Sequence, residues 1–435
     1  MIAKKNIIKV LILFLILHLF FWTLAPSISN INLPLDTIEA LAWGSNLEWG
    51  FNKHPPFSAF AVEIFYTIFG SNDWAYYLLS QIFVVVSLIY VWKFSNEIFD
   101  EKIYSLLSVL TLSGIYYYNF TTPEFNVNVS QLPFWALTVY FFWKSINSNN
   151  RINWILFGIF SALGFLSKYL FIYILLAIFF YFILNIKIYK KFITNYLLSI
   201  AISLAILTPH FIWLFKNNFI TIVYGLNRSS LTNTTWVDHL ENPLVFIFKQ
   251  ILILIPFFIM IFILLKKFNF KFNLKNRKNL FLVSINLIPI ILILFTSIVS
   301  GAKIRTMWMT PFYLFFGTLF IYLFQAQINI KKLKPFMIGF IFFFFLSPAL
   351  YAYVSISKED KRTDYPGKEI AIKTQYAWDQ QFNTKINVVY GNEWNAGNLS
   401  YHLKSRPIWD GIVEREKLDQ LKDYMCLDNV CVGSK

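Results

Sequence analysis

Cysteine is almost absent. The 435 residues hold two, Cys426 and Cys431, which excludes a disulfide framework and any cysteine-built zinc cluster. Charge is scarce as well: 14% of residues are Asp, Glu, Lys or Arg, against about 25% in soluble domains. Hydrophobic residues make up 57% and mean hydropathy is +0.55, so a single water-soluble core is excluded. Several catalytic signatures are missing too. There is no Walker-A lysine loop, glycine-rich dinucleotide turn, H-E-x-x-H or nucleophile elbow, and no D-x-D pair for a nucleotide sugar and its metal. What the chain has instead is aromatic bulk, 49 Phe and 24 Tyr, suited to a lipid-facing surface with interfacial belts. It reads as a polytopic membrane protein.

Eleven apolar runs are candidates to cross about 30 Å of hydrocarbon. They lie near 7–25, 75–94, 103–119, 127–146, 152–167, 169–186, 193–213, 243–265, 280–299, 308–324 and 336–354. The first has a basic start but no A-x-A cleavage site, so it reads as an anchor and not as a signal peptide. Placing the N-terminus inside assigns nineteen Lys and Arg to the cytoplasmic connections and six to the opposite short loops. The net charge of +15 is therefore a topology signal, and no nucleic-acid partner is needed to explain it. Eleven crossings put residues 355–435 on the outer face as a small α/β domain, following a membrane module over 1–354. Within this tail 386–390 reads as a strand, 392–403 as a helix and 412–424 as a second short helix. The spacing of Cys426 and Cys431 is equally compatible with a disulfide and with two free thiols.

The acids of the outer loops are the informative feature. The first loop, 26–74, contains Asp36 and Glu39, three apart and on one face of a helix that starts near Pro34. A bland reading is equally available, with Asp36 a helix cap and Glu39 a solvated first-turn charge. Lys53-His54-Pro55-Pro56 follows. The two prolines end one segment and open the next helix, fixing a cation and an imidazole at its entrance. A lysine there is electrostatically unfavourable, which hints at a bound anion. Further acids and bases gather at the same ends of other runs: Glu124, Asn126 and Asn128, then Lys168-Tyr169, His210, and Lys303 with Arg305. Lys168 sits in an otherwise apolar hairpin, where it needs an anionic partner or must snorkel. Together these residues suit an extracytoplasmic site for a phosphorylated lipid.

The run D-x-x-E-x-L-A-W-G…E-W-G-F-N-K-H-P-P (36–56) resembles the first outer-loop motif of the GT-C glycosyltransferases. More narrowly, it is similar to the bacterial branch of protein O-mannosyltransferases, lipid-A aminoarabinose transferases and core galacturonosyltransferases. TPEFNVNVSQLPFWAL (122–137), G-x-x-S-A-L-G-F-L-S-K-Y (158–169), LTPHFIWL (207–214) and the stretch from Arg305 to Trp308 match patterns of that branch. In the tail only G-N-E-W-x-A-G-N-L-S-Y (391–401) and R-P (406–407) do so. The resemblance implies an α-helical GT-C membrane protein of about eleven transmembrane helices with a small extracytoplasmic α/β domain. It implies transfer of a sugar from a polyprenyl-phosphate donor to lipid A or core, another glycan or a protein, with inversion, at the periplasmic face of the inner membrane. Asp36, with Glu39, then matches the catalytic acids, and Lys53 the position that meets the donor phosphate, with His54, Lys168 and Arg305 beside it. Glu124, Asn126, Tyr169 and His210 become candidate substrate-binding residues. In the family the acid pair is often adjacent, whereas Thr37 and Ile38 intervene here, and the need for a divalent metal varies, so metal stays unassigned.

The chemistry agrees with that implication. An inverting displacement needs one carboxylate to take the acceptor proton, and cations to stabilise the departing phosphate. Two other readings stay open. A transporter or flippase of lipid-linked sugars predicts ionisable residues near the bilayer midplane and symmetric halves. An O-antigen-ligase-type transferase moves the key basic residues to other loops. The charge asymmetry makes a direct prediction. A reporter active only outside the cytoplasm works when fused after residue 57, 125, 230 or 360 and fails after 97, 189, 272 or 332; two or more reversed reporters break the eleven-crossing topology.

Overall fold

A computed structural model describes residues 4–148, 150–229, 234–268, 273 and 275–435. Lys271 and the reporter junctions at 230 and 272 lie outside the described residues. The chain runs through α1 (Lys4–Ser29), α2 (Leu35–Gly44), α3 (Phe57–Phe69), α4 (Asp73–Ile98), α5 (Lys102–Leu110), α6 (Val127–Ser130), α7 (Leu132–Asn147), α8 (Arg151–Ser167), α9 (Ile172–Leu184) and α10 (Ile186–Tyr189). It continues through α11 (Ile193–Lys216), α12 (Ile220–Arg228), α13 (Asp238–Leu264), α14 (Arg277–Ser300), α15 (Phe316–Leu323) and α16 (Leu333–Ser357).

Among the described residues six helical segments are long and apolar enough to cross a membrane: Asn6–Ser29, α4, Ile186–Lys216, α13, α14 and Ile330–Ser357. At about 1.5 Å per residue, even a 24-residue segment reaches roughly 36 Å. α3, α8 and the helix Tyr169–Leu184 are apolar but shorter. The runs expected at 103–119 and 308–324 are broken. α5 gives way to 3₁₀ turns at Thr111–Gly114 and Tyr116–Tyr118, and the later run holds a 3₁₀ turn, Thr306–Met309, before the short α15. Hydroxyls explain part of the first break, because Thr111 and Ser113 bond back to the carbonyls of Ser108 and Leu110. The two short helices pack on each other, with Gly317 pressed so closely on the Ser108 carbonyl that no Cβ fits.

The tail forms a small α/β unit. α17 (Gly367–Gln381) and α18 (Glu393–His402) precede and flank a four-stranded sheet in the order β2-β1-β4-β3, from β1 (Val388–Tyr390), β2 (Ile408–Trp409), β3 (Asp423–Leu427) and β4 (Val430–Ser434). β1 pairs β2 in parallel and β4 antiparallel. The strand and the helix expected at 386–403 are present. The helix expected over 412–424 is not: α19 (Arg415–Leu418) is one turn, and Asp423 already begins a hairpin. Its two-residue turn has Asp428 at φ 51°, the left-handed backbone that Asp and Asn tolerate and that tight hairpins need. Cys426 and Cys431 face each other across this hairpin and are joined as a disulfide.

The tail unit is docked on the first loop. Thr363 O accepts the N–H groups of Ile31 and Asn32, Asn32 donates to Asn398 at 2.8 Å, and Tyr401 donates to Asp73 at 2.7 Å. α18 lies against α2 through Gly397, where a Cβ would stand 3.0 Å from Ile38 Cγ2 and 3.1 Å from Ala42 Cβ. The α5–α15 contact gives a stability prediction. Gly317→Leu forces a side chain against backbone that cannot yield, and overpacking costs about 1–3 kcal/mol. The purified variant should therefore melt several degrees below wild type, and an unchanged melting temperature means the two short helices do not pack this way.

Candidate active site

α2 is entered from Pro34 in extended conformation, and no side chain of its own first turn caps it. The Asp36 N–H instead donates to Glu124 Oε1 at 3.0 Å, and Thr37 Oγ1 donates to Phe125 O at 3.2 Å. The loop before α6 therefore caps α2 from outside and leaves the Asp36 carboxylate out of the cap. Asn126 is spent locally: its side chain accepts from the N–H groups of Asn128 and Val129 at 2.9 and 3.2 Å, capping α6.

Asp36, Glu39, Lys53, Lys168, Arg228 and Arg305 line one cavity of about 450 Å³, closed further by His54, Tyr169, Tyr224 and Trp308. Their charges are not equivalent. Lys53 Nζ is 2.8 Å from Glu39 Oε1 and 3.3 Å from Glu393 Oε1, so two carboxylates already neutralise it. Burial pulls the Lys53 ammonium down, but hydrogen bonds and charge from Glu39 and Glu393 outweigh it and hold its pKa above the ordinary lysine value. Glu39 is buried and not solvated. Lys168 is different. The residue is 7% exposed, and its ammonium has Asn128 Oδ1 at 2.5 Å and the Trp308 ring at 5.2 Å, with no ion pair among the described residues. Burial pushes its pKa down to about 7 against the opposing pull of Asp36. Arg228 and Arg305 also make no ion pair among the described residues.

The carboxylates and imidazoles respond to the same desolvation. Burial raises Asp36, while Lys168 and Lys53 draw it back. Glu124 is raised to about 8, by burial and then by the charge of Asp36. His54 is lowered to about 3, by burial and then by Lys168 and Lys53, so it meets a ligand as a neutral imidazole and adds no positive charge. His210 is buried on α11 and does not line the cavity. Its Nδ1 lies 2.6 Å from the Trp49 carbonyl oxygen, which fixes that nitrogen as the donor. Nε2 then accepts from the Tyr169 hydroxyl at 2.9 Å, so His210 acts on the cavity by holding Tyr169.

Glu124 and Asn126 face a second cavity of about 290 Å³, shared with Tyr116, Thr121, Thr310 and Tyr351. Asn128 and Met307 line both spaces. The expected residues are thus divided: Asp36, Glu39, Lys53, His54, Lys168, Tyr169 and Arg305 meet in the first cavity, Glu124 and Asn126 in the second. Arg228, Trp308 and Glu393 went unpredicted as site residues, although Glu393 lies within the tail motif G-N-E-W. No group of three or more His, Cys, Asp or Glu side chains that could hold a metal ion occurs among the described residues.

The family model described as dolichyl-phosphate-mannose-protein mannosyltransferase matches residues 53–213. ArnT from Cupriavidus metallidurans bound to undecaprenyl phosphate superposes with a TM-score of 0.65 at 13% identity, covering 96% of this chain and 88% of ArnT. The chain shares the fold of ArnT. The apo form of the same ArnT gives a TM-score of 0.62 at 12% identity, with 94% and 86% coverage. Archaeal oligosaccharyltransferase AglB from Archaeoglobus fulgidus, in complex with an inhibitory peptide and a dolichol-phosphate, gives 0.51 at 10% identity, with 93% of this chain and 64% of AglB covered. No curated protein is significantly similar in sequence.

Glu124 supplies a prediction with a definite sign. A carboxyl raised in the folded state to about 8 binds its proton more tightly folded than unfolded, so its contribution to stability is full below its unfolded pKa and is lost as pH rises towards 8. Glu124→Gln keeps an oxygen acceptor for the Asp36 N–H and cannot ionise. The melting temperature of Glu124→Gln relative to wild type should rise between pH 5 and pH 8, and a flat difference shows that Glu124 is already ionised in the fold. Glu124→Ala leaves the Asp36 N–H unpaired and should cost about 1–3 kcal/mol at every pH.

Proposed function

We propose that this chain is an integral-membrane glycosyltransferase that moves a sugar from a polyprenyl-phosphate-linked donor to a lipid, glycan or protein acceptor. The reading places the cavity and the tail unit on the periplasmic side of a bacterial inner membrane. One observation carries it: a carboxylate excluded from its own helix cap stands in one cavity with three cations, Lys168, Arg228 and Arg305, that have no ion-pair partner among the described residues. The GT-C fold and the ArnT structure bound to undecaprenyl phosphate support it.

The acceptor hydroxyl oxygen forms a bond to the anomeric carbon while the bond from that carbon to the phosphate oxygen breaks. The acceptor proton passes to Asp36, and the electron pair leaves with the polyprenyl phosphate. A phosphate monoester leaves well, so no strong acid is required of the protein. Its growing charge is met by the buried Lys168 as a point charge and by the planar guanidinium groups of Arg228 and Arg305. The same phosphate supplies the counter-charge that the buried Lys168 lacks. The sugar acceptor then comes through the second cavity, whose lining of hydroxyls, amides and a protonated Glu124 carries no cation.

Purified protein incubated with a polyprenyl-phosphate-linked sugar and envelope glycolipid, glycan or protein acceptors, read by mass spectrometry of the products, tests the reading. Asp36→Asn should cut turnover by about 10²–10⁴-fold, the usual contribution of a positioned base, with donor binding nearly intact. Activity within threefold of wild type would leave Asp36 without a catalytic role. Lys168→Ala should weaken the donor by roughly 10–150-fold, from about 1.5–3 kcal/mol for a hydrogen bond to a charged group. Lys53→Ala should cost less than Lys168→Ala, because Lys53 is already neutralised.

A further inference from the structure

Lys53 belongs to the first loop, yet one of its two carboxylates comes from 340 residues further along the chain. Glu393 is the first residue of α18 in the tail unit, and its Oε1 accepts from Asn52 Nδ2 at 2.8 Å while lying 3.3 Å from Lys53 Nζ. Glu39 lines the cavity and Glu393 does not, so Glu393 reaches Lys53 from behind the cavity wall. An ammonium has three N–H donors. Glu39 accepts one and Glu393 lies at ion-pair distance, which leaves at least one for a ligand.

The tail holds Glu393 in place by contacts with the same loop. Asn392 caps α18 by accepting from the Asn395 N–H at 2.8 Å. Gly397 brings α18 against α2 with no room for a side chain. Arg406 donates to Leu41 O at 2.7 Å, pairs with Glu63 Oε2 at 2.5 Å and lies over the Tyr66 ring, and the Trp409 N–H donates to Ser45 Oγ at 2.9 Å. The tail thus grips the loop along α2, at its C-terminus, on α3 and at Lys53 itself.

We propose that Glu393 is a positioning residue of the donor site: from the tail unit it fixes Asn52 and Lys53, so that the remaining Lys53 donor is presented to the donor phosphate. The tail unit is then part of the catalytic machinery and sets affinity for the lipid phosphate. This rests on the glycosyltransferase reading, and the probe chosen, undecaprenyl phosphate, needs no knowledge of the sugar. Its dissociation constant is measured for the full chain in nanodiscs, for wild type, Glu393→Ala, Glu393→Gln, Lys53→Ala and the Lys53→Ala/Glu393→Ala double variant, with melting temperatures alongside.

Glu393→Ala should weaken binding about threefold to tenfold, within the coupling found for residues of one ion-pair network. Glu393→Gln should recover part of that loss, because its amide oxygen still accepts from Asn52 and Lys53. In the Lys53→Ala background Glu393→Ala should add nothing. Wild-type affinity in Glu393→Ala, or the same loss with and without Lys53, overturns the proposal and leaves the function standing. Should Glu393→Ala prove unstable, the isosteric Glu393→Gln carries the same cycle with Lys53→Ala. Wild-type protein that does not bind undecaprenyl phosphate overturns the glycosyltransferase reading itself, and wild-type affinity in Lys53→Ala removes Lys53 from the phosphate site and the proposal with it.

Discussion

A cation buried without an anion is the constraint around which this site is built. Lys168 sits between α8 and α9, with an amide oxygen and an indole face for company and the nearest opposing charge, Asp36, beyond ion-pair distance. Desolvating an ammonium costs several kcal/mol, and a single neutral acceptor offsets only part of that. Arg228, exposed, and Arg305, half-buried, add two more cations without an ion pair among the described residues to the same cavity. A fold gains nothing in stability from such an arrangement, and strained electrostatics of this kind gather where a ligand completes them. Of the two acids lining that cavity, Glu39 is paired with Lys53 and Asp36 has no ion pair among the described residues.

The second constraint is how a ten-residue helix, α2, is kept in register with that cavity. A helix this short is marginal alone, and α2 is gripped on three sides. Glu124 caps its N-terminus, α3 packs beside it, and α18 covers it through Gly397. Two of the side chains that hold it, Glu124 at its N-terminus and Arg406 on the Leu41 carbonyl, are polar groups from other segments. Displacement of any one segment would uncover a buried polar group in another, and this makes the first loop and the tail unit a single mechanical body around the cavity.

How far all this could be read from the residues depended on the range of each interaction. The helix carrying Asp36 and Glu39 was legible because i, i+3 spacing is local, and so were the proline-opened α3 and the Asn392-capped α18. The small α/β unit of the tail was legible from its change in composition. The hairpin at 423–434 was missed because its decisive signal is a left-handed Asp428, which resembles an ordinary helix-ending residue in a charged stretch. The breaks in the runs at 103–119 and 308–324 were hidden by hydrophobicity that stays high through the 3₁₀ turns. Pairings such as Glu39–Lys53, Asp36–Glu124 and above all Lys53–Glu393 depend on tertiary approach, and no spacing rule reaches across 340 residues. His210 and Asn126 stood in the right neighbourhood, but whether such a residue touches a ligand or supports one that does is settled only by where its hydrogen bonds go.

Three acids converge on the site, and their surroundings give each a different state. Glu124 is desolvated beside Asp36 and is held protonated near neutral pH, where a neutral carboxyl can still accept the Asp36 N–H with one oxygen and offer a donor with the other. Glu39 is spent on Lys53. Asp36 alone keeps a carboxylate with no cap and no ion pair to hold it. Burial raises its basicity, while Lys168 and Lys53 keep the ionised form accessible. Environments that push neighbouring carboxyls apart are how a protein assigns one base among several candidates. The separation here follows from position: Glu124 faces a cavity without cations, Glu39 lies within reach of a lysine, and Asp36 shares its cavity with Lys168, Arg228 and Arg305. In the proposed transfer, one proton acceptor and a cationic cradle for the leaving group are both met in that cavity, and neither of the other two acids can take the place of Asp36 without first breaking a bond that shapes it.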